Sequence, residues 1–184
     1  PRIGVDGRGD SLARSSGTLL EDRDTLLTIA ELGVAFAGFT GILEALRRYE
    51  DETARRLGRL RLRAMLEVSL RNAAFAVLPL PFLSLPNADA YLWRTASALY
   101  LIVVVAYVFY RRRTDIAGPI RGVVPLPVMF LLPISLLACV VNALGFAGAH
   151  AFAFYLFSLT LGLVSAGILF LVVAAPGLGT EESD

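Results

Sequence analysis

Long apolar runs, separated by short polar segments, organise the chain. The apolar windows are 26–46, 64–85, 91–110, 123–146 and 151–174. At 1.5 Å per residue, about 20 helical residues cross a hydrocarbon layer roughly 30 Å thick, and each window is about that long or longer. Only "AGAH" separates the last two windows, so two helices joined by a tight turn are expected there. The pattern predicts an all-α, polytopic membrane bundle of about five transmembrane helices.

The two ends of the chain are polar. Residues 1–25 mix both charges with Gly and Ser and lack the apolar core of a secretory signal, so they predict a polar extracytoplasmic tail. Residues 176–184 include the acidic "TEESD" and predict a cytoplasmic tail. The predicted organisation is therefore a polar tail (1–25), a membrane-embedded bundle (26–175) and an acidic tail (176–184).

Composition favours the same class of protein. Hydrophobic residues make up 56% of the chain and charged residues 18%, and the mean hydropathy is +0.66. Soluble domains are about 25% charged, so the deficit of charge indicates contact with lipid. We expect an integral membrane protein of the bacterial inner (plasma) membrane.

Arginine is the only basic residue apart from His150, and it clusters in two of the four predicted loops. The first loop carries Arg47, Arg48, Arg55, Arg56, Arg59, Arg61 and Arg63, and the third carries Arg111, Arg112, Arg113 and Arg121. The second and fourth loops carry none. By the positive-inside rule, the first and third loops are cytoplasmic, the N-terminus is outside and the C-terminus is inside. We expect these loops to attract anionic lipid rather than nucleic acid.

Residue types suited to catalysis or metal binding are scarce. Cys139 is the one cysteine and His150 the one histidine. Ser165 lies about 22 Å from His150 along the same predicted helix, too far for a Ser–His hydrogen bond. Since neither a phosphate-binding loop nor a carboxylate-rich metal motif is present, we expect no enzyme activity, no catalytic residue, no metal and no cofactor.

Charged residues inside the predicted spans form an intramembrane charge network of Glu31, Glu44, Glu67, Arg71 and Arg94. Glu67 and Arg71 are four residues apart with the acid first, the favourable order for an ion pair on one helix face. Glu44, near the inner end of the first span, is predicted to join them. Glu31 and Arg94 both lie about 5–8 Å inside the outer boundary, so an ion pair between the first and third spans is predicted.

This network has two interpretations. Ionisable groups in a membrane favour a polar path for protons or ions by default. However, the charges of Glu31, Glu67, Arg71 and Arg94 sum to zero, whereas a pathway selective for one sign favours an excess of the other. The balance favours structural ties between helices. For Glu31 alone, a capping box with Thr28 is a further alternative, provided that a helix begins there.

Small residues recur every four positions in two of the spans. The predicted packing faces are Gly33, Ala37 and Gly41 in the first span, and Ser158, Gly162 and Ala166 in the fifth. Small residues at this spacing allow two helix backbones to approach closely in a membrane, either within one subunit or between subunits.

Prolines interrupt the second and fourth spans. Pro79 and Pro81 cannot donate to the carbonyls of Phe75 and Val77, so the outer half of the second span should bend. Pro133 lies within the fourth span and should kink it.

Five short spans leave little room for a hydrophilic path inside one subunit. The sequence therefore favours a small homo-oligomeric membrane protein of channel or transporter type, in which the Glu/Arg pairs are mainly structural. The alternative is a membrane scaffold or accessory subunit that packs against other membrane proteins without transport. The predicted partners are the lipid bilayer and further copies of the chain.

Overall fold

A computed structural model describes residues 8–46, 52–84, 88–114 and 126–174. The five α-helices are α1 (Arg8–Leu46), α2 (Glu52–Val77), α3 (Ala88–Thr114), α4 (Leu126–Ala143) and α5 (Ala151–Ala174). Single 3₁₀ turns lie at Leu80–Phe82 and Gly148–His150. These described ranges contain no β-strand, which confirms the all-α class.

Four of the helices are long and apolar enough to cross a membrane. Their apolar segments are Leu20–Leu43, Tyr91–Tyr110, Leu126–Ala143 and Gly148–Val172. They correspond to the predicted first, third, fourth and fifth spans. The second predicted span, 64–85, has no counterpart of this length and composition.

The α2 helix differs because its apolar part carries charged residues. Its last 18 residues include four charges, Arg61, Arg63, Glu67 and Arg71. The helix also ends at Val77, just before Pro79, rather than bending and continuing as predicted. Since proline lacks the N–H that the next turn requires, the chain passes into the 3₁₀ turn instead.

The α1 helix is longer than predicted. It begins at Arg8, so much of the region predicted as a polar tail is helical. Thr28 lies inside the helix and its hydroxyl donates to the Asp24 carbonyl at 2.9 Å. A capping box between Thr28 and Glu31 is therefore excluded. The predicted acidic tail, 176–184, lies outside the described residues.

The α5 helix occupies the centre of the bundle. It packs against α1, α2, α3 and α4, while α1 also packs on α2 and α3 on α4. The predicted small-residue face of α5 is buried in these contacts, with Ser158 and Ala166 fully covered and Gly162 against Asn72. This face therefore packs within one subunit.

The predicted small-residue face of α1 divides between two environments. A Cβ on Gly33 would lie 2.8 Å from the Ser69 carbonyl oxygen, so Gly33 allows α1 and α2 to approach closely. Ala37 is half-buried, and Gly41 faces open space with nothing within 4 Å of a Cβ. Over eight residues the face of a straight helix turns by about 80°, so Gly41 points away from α2.

The connection between α4 and α5 is the tight glycine-containing turn that was predicted. Gly145 and Gly148 have φ angles of 85° and 53°, which glycine adopts without steric cost. Before this turn, α4 runs through Pro133 as one helix, with the proline on its exposed side.

Candidate functional site

Basic residues gather at one end of the bundle. Arg59 and Arg63 lie in the first half of α2, and Arg113 lies at the end of α3. These segments are neighbours, because Glu67 on α2 contacts Tyr107 on α3. We call this the basic end; it brings parts of the two arginine-rich loops together.

Glu67 has different partners from those predicted. Its Oε1 accepts a hydrogen bond from Arg63 Nε at 2.8 Å, and its Oε2 accepts one from the Tyr107 hydroxyl. Both partners draw the carboxylate towards the basic end. Arg71 lies one turn deeper, with its guanidinium carbon 5.5 Å from the centre of the Tyr107 ring. The predicted Glu67–Arg71 ion pair is therefore replaced by an Arg63–Glu67 pair and a cation–π contact.

Long side chains fill the space between α2 and α3. The backbones of these two helices do not pack closely along their described lengths. The side chains of Glu67, Arg71, Asn72, Tyr100 and Tyr107 bridge them, and we call this set the α2–α3 seam. Its deepest hydrogen bond joins the Tyr100 hydroxyl to Asn72 Oδ1 at a long 3.4 Å.

Several polar atoms in and beside the seam are buried without partners. Among the described residues, Arg71 Nε, Asn72 Nδ2 and Ser69 Oγ have no hydrogen-bond partner. Ser69 and Asn72 are both fully buried. Leaving a buried polar group unsatisfied costs about 1–3 kcal/mol, so the seam has unused capacity to bind a polar species.

Aromatic rings pack over the end of the seam that is remote from the basic end. The Phe75 ring meets the Tyr100 ring edge-on, with centres 5.0 Å apart. Tyr155 donates a hydrogen bond to the Phe75 carbonyl, and its ring centre lies 5.8 Å from that of Trp93. These four residues give the seam an apolar boundary on this side.

Arg94 lies at the end of the bundle opposite the basic end. It donates from Nη2 to the Gly145 carbonyl at 3.3 Å. Glu31 is exposed on α1, which does not pack along α3 within the described chain. The predicted Glu31–Arg94 ion pair is therefore absent from the described residues. The side chain of Glu44 lies outside the described part of the structure.

Asn142 connects three helices at the same end as Arg94. Its Nδ2 donates to Ser97 Oγ at 2.7 Å and to the Ala151 carbonyl at 2.8 Å, and it lies 3.3 Å from the Trp93 carbonyl. Sequence reasoning missed this contact. The available signal was the single amide in the largely apolar α4.

Hydroxyl and thiol groups also join α4 to α5. Ser135 Oγ donates to the Ser158 carbonyl at 3.2 Å, and Ser158 Oγ lies 3.2 Å from the Ser135 carbonyl. The buried thiol of Cys139 donates to Ser158 Oγ, also at 3.2 Å. These contacts hold the two helices together and leave Cys139 inaccessible.

One side of α1 does not pack against the other described helices. Glu31, Val34, Gly38, Gly41 and Ile42 are exposed, and we call them the open face of α1. Nothing lies within 4 Å of a Cβ on either glycine. Glu31 is at the middle of the 24-residue apolar segment Leu20–Leu43, deeper than predicted. A carboxyl group therefore lies on an apolar outer surface.

These features define a class of protein: a helical bundle with four helices apolar and long enough to span a membrane. Among the described side chains, no group of three His, Cys, Asp or Glu could hold a metal ion. No family model, no curated protein and no solved structure matches the chain.

Proposed function

We propose that this chain is a subunit of a channel or transporter, and that a small solute passes along the α2–α3 seam. The observation that carries the proposal is the set of buried, unsatisfied polar atoms on Ser69, Arg71 and Asn72. Polar groups inside a membrane are expensive, and they mark solute pathways more often than they occur by accident. Asn142 Oδ1, at the other end of the bundle, is also unsatisfied, but the Asn142 amide nitrogen is bonded to Ser97 and Ala151.

The proposal includes α2 as a fifth span. Glu67 and Asn72 on α2 contact Tyr107 and Tyr100, which both lie within the apolar segment Tyr91–Tyr110. Thus α2 runs beside α3 through the same depth, which supports a crossing despite its charges.

The distribution of arginine supports the same topology. If α2 did not cross, the arginine-rich segments after α1 and after α3 would lie on opposite sides of the membrane. If α2 crosses, both are cytoplasmic, as the positive-inside rule favours. The N-terminus is then outside and the C-terminus inside.

The charged contacts of the seam have mainly a structural role in this proposal. Glu67 accepts hydrogen bonds from Arg63 and Tyr107, so its carboxylate ties α2 to α3 near the basic end. Solute contacts fall instead to the deeper residues Arg71, Asn72 and Tyr100.

Homo-oligomer formation through the open face of α1 is also part of the proposal. A charged side chain at mid-span costs at least about 2.5–3.5 kcal/mol, so Glu31 is unfavourable against lipid. Gly38 and Gly41 allow another helix to approach closely. An α1 helix from a second copy would cover both the glycines and the carboxyl group.

The alternative function is that of a scaffold or accessory subunit. The same open face of α1 fits a span of a different membrane protein, and such a role needs no flux through the seam. The mass of the purified protein in nanodiscs discriminates the two, because a channel subunit is expected as a homo-oligomer and an accessory subunit as a monomer.

The direct test of transport is flux through liposomes that contain the purified protein. We expect faster passage of a small ion or solute than through protein-free liposomes. Asn72→Leu should abolish this flux, since it replaces an unsatisfied amide with an apolar side chain of similar size. Thr95→Val is the matched control, because Thr95 is exposed on the other side of α3. Folded protein that passes no proton, potassium ion, chloride ion or small neutral solute would overturn the channel proposal.

A further inference from the structure

The unsatisfied groups of the seam are rich in hydrogen-bond donors. Arg71 carries donors only, and its buried Nε has no acceptor among the described residues. Asn72 Nδ2 is a second donor without an acceptor, and it belongs to a side chain that is fully buried. A ligand that satisfies these groups must accept hydrogen bonds.

The positive charge of Arg71 also favours an anionic ligand. Within the described chain, no carboxylate forms an ion pair with Arg71, because Glu67 is held by Arg63 and Tyr107. The Tyr107 ring offsets part of the positive charge of Arg71, but Arg71 Nε still has no hydrogen-bond acceptor. Arg71 is partly exposed, but its Nε is fully buried, so its charge carries a desolvation cost without a counter-ion. A bound anion would reduce that cost, whereas a cation would be repelled.

The position of Tyr100 suits it to complete such a site. The Tyr100 hydroxyl donates to Asn72 Oδ1 at 3.4 Å, which is longer than an ordinary O–H···O hydrogen bond. Because this bond is weak, the hydroxyl can turn to another acceptor at little cost. Arg71 and Ser135 are also polar neighbours of this hydroxyl. Side chains of α2 and α3 therefore meet at the Tyr100 hydroxyl.

We propose that Arg71, Asn72 and Tyr100 bind a small monovalent inorganic anion, such as chloride or nitrate. The use of this site in transport rests on the proposed function, but binding itself does not. The same anion, passing along the seam, would be the transported solute. Guanidinium and amide donors favour an anion over a metal cation here, since the Glu67 carboxylate is already bonded to Arg63 and Tyr107.

The test measures thermal unfolding in nanodiscs of phosphatidylcholine, which carries no net charge. Fluorescence of Trp93, the single tryptophan, gives the signal. Sodium chloride and sodium nitrate are compared at equal ionic strength with sodium gluconate, whose anion is much larger. We expect saturable stabilisation by the small anions, about 3–6 °C at ten times the dissociation constant.

Two variants assign the effect to the site. Arg71→Gln should abolish the stabilisation by anions, whereas Arg59→Gln, which removes an exposed arginine from the same helix, should retain it. Asn72→Asp places a carboxylate beside Arg71 as an internal anion. It should fold with undiminished stability and no longer respond to chloride, whereas a carboxylate buried away from any cation would destabilise the protein.

The outcomes separate the site from the transport role. Equal unfolding temperatures in chloride and gluconate, or an unchanged response in Arg71→Gln, would overturn the anion site. Cation flux that Asn72→Leu abolishes, without any anion stabilisation, would leave the channel proposal standing and remove the anion as its solute. If anions stabilise the protein through Arg71 but liposomes show no flux, the anion site stands and the transport role is excluded.

Discussion

The hydroxyl of Tyr155 on α5 donates a hydrogen bond to the carbonyl of Phe75 on α2. In an uninterrupted helix, this carbonyl would accept from the N–H of residue 79, but Pro79 has no N–H. Both Tyr155 and Phe75 are buried. The side chain from α5 therefore replaces the backbone donor that α2 lacks where it ends.

Removal of this hydroxyl should destabilise the protein. Tyr155→Phe leaves a buried carbonyl unsatisfied, which should lower the free energy of unfolding by about 1–3 kcal/mol. Tyr91→Phe, at a tyrosine that is 71% exposed, should have little effect. Denaturant unfolding in nanodiscs gives both values.

Restoring the backbone donor tests the reason for this effect. If Pro79→Ala lets α2 continue, the new N–H can bond to Phe75, and Tyr155→Phe should cost less in that background. A double-mutant cycle measures the coupling. Strictly additive effects would mean that Tyr155 stabilises the protein by packing alone.

Gly162 is expected to tolerate no side chain. A Cβ there would lie 2.7 Å from Cγ of Asn72, which is fully buried and cannot move aside freely. Gly162→Ala should therefore destabilise by about 1–3 kcal/mol, although alanine favours helix. The control is Gly167→Ala on the same helix, where the nearest atom is Phe36 Cζ at 3.8 Å. Equal melting temperatures for the two variants would contradict the close contact.

The two sides of α1 should respond differently to substitution. Gly33→Ala brings a Cβ within 2.8 Å of the Ser69 carbonyl oxygen and should lower the melting temperature of each subunit. Gly41→Leu adds a side chain where a single subunit has open space, so it should reduce oligomer formation and leave the subunit folded. Native mass spectrometry with circular dichroism separates the two effects. A Gly41→Leu protein that assembles normally would exclude the open face of α1 as the subunit interface.

Labelling of single cysteines should show whether α2 crosses the membrane. In a Cys139→Ser background, which keeps a donor for Ser158, Ser84→Cys should react with an impermeant reagent outside intact cells. Arg59→Cys, at the other end of α2, should react only after permeabilisation. Reaction of both from the same side would rule out the crossing.

Periodicity and length predicted the helices well because lipid sets a simple requirement for long apolar runs. They misplaced the bounds of α2, which ends at Val77, because 64–85 looks apolar by composition but contains Glu67, Arg71 and two prolines. The preference for Glu67–Arg71 used only the order of charges along one helix. Arg63 lies as far from Glu67 along the chain as Arg71 does, and Glu67 pairs with Arg63. Its second partner, Tyr107, comes from α3, and the local sequence of α2 does not reveal this contact.

The candidate site was only partly predictable for the same reason. Arg71 and Asn72 were visible as polar residues in an apolar stretch. Their convergence with Tyr100 depends on how α2 and α3 pack, and no periodicity encodes it. In the same way, Glu31 and Arg94 were matched by their depth alone, although their helices turn out not to pack along each other.

The 80 residues between Phe75 and Tyr155 also impose an order on biogenesis. Ribosomes add about 5–20 residues per second, so α2 exists for roughly 4–16 s before Tyr155 is synthesised. During this interval the Phe75 carbonyl lacks the hydroxyl that later bonds to it. We therefore expect the nascent chain to need an insertase or chaperone that shelters α2 until α5 is synthesised.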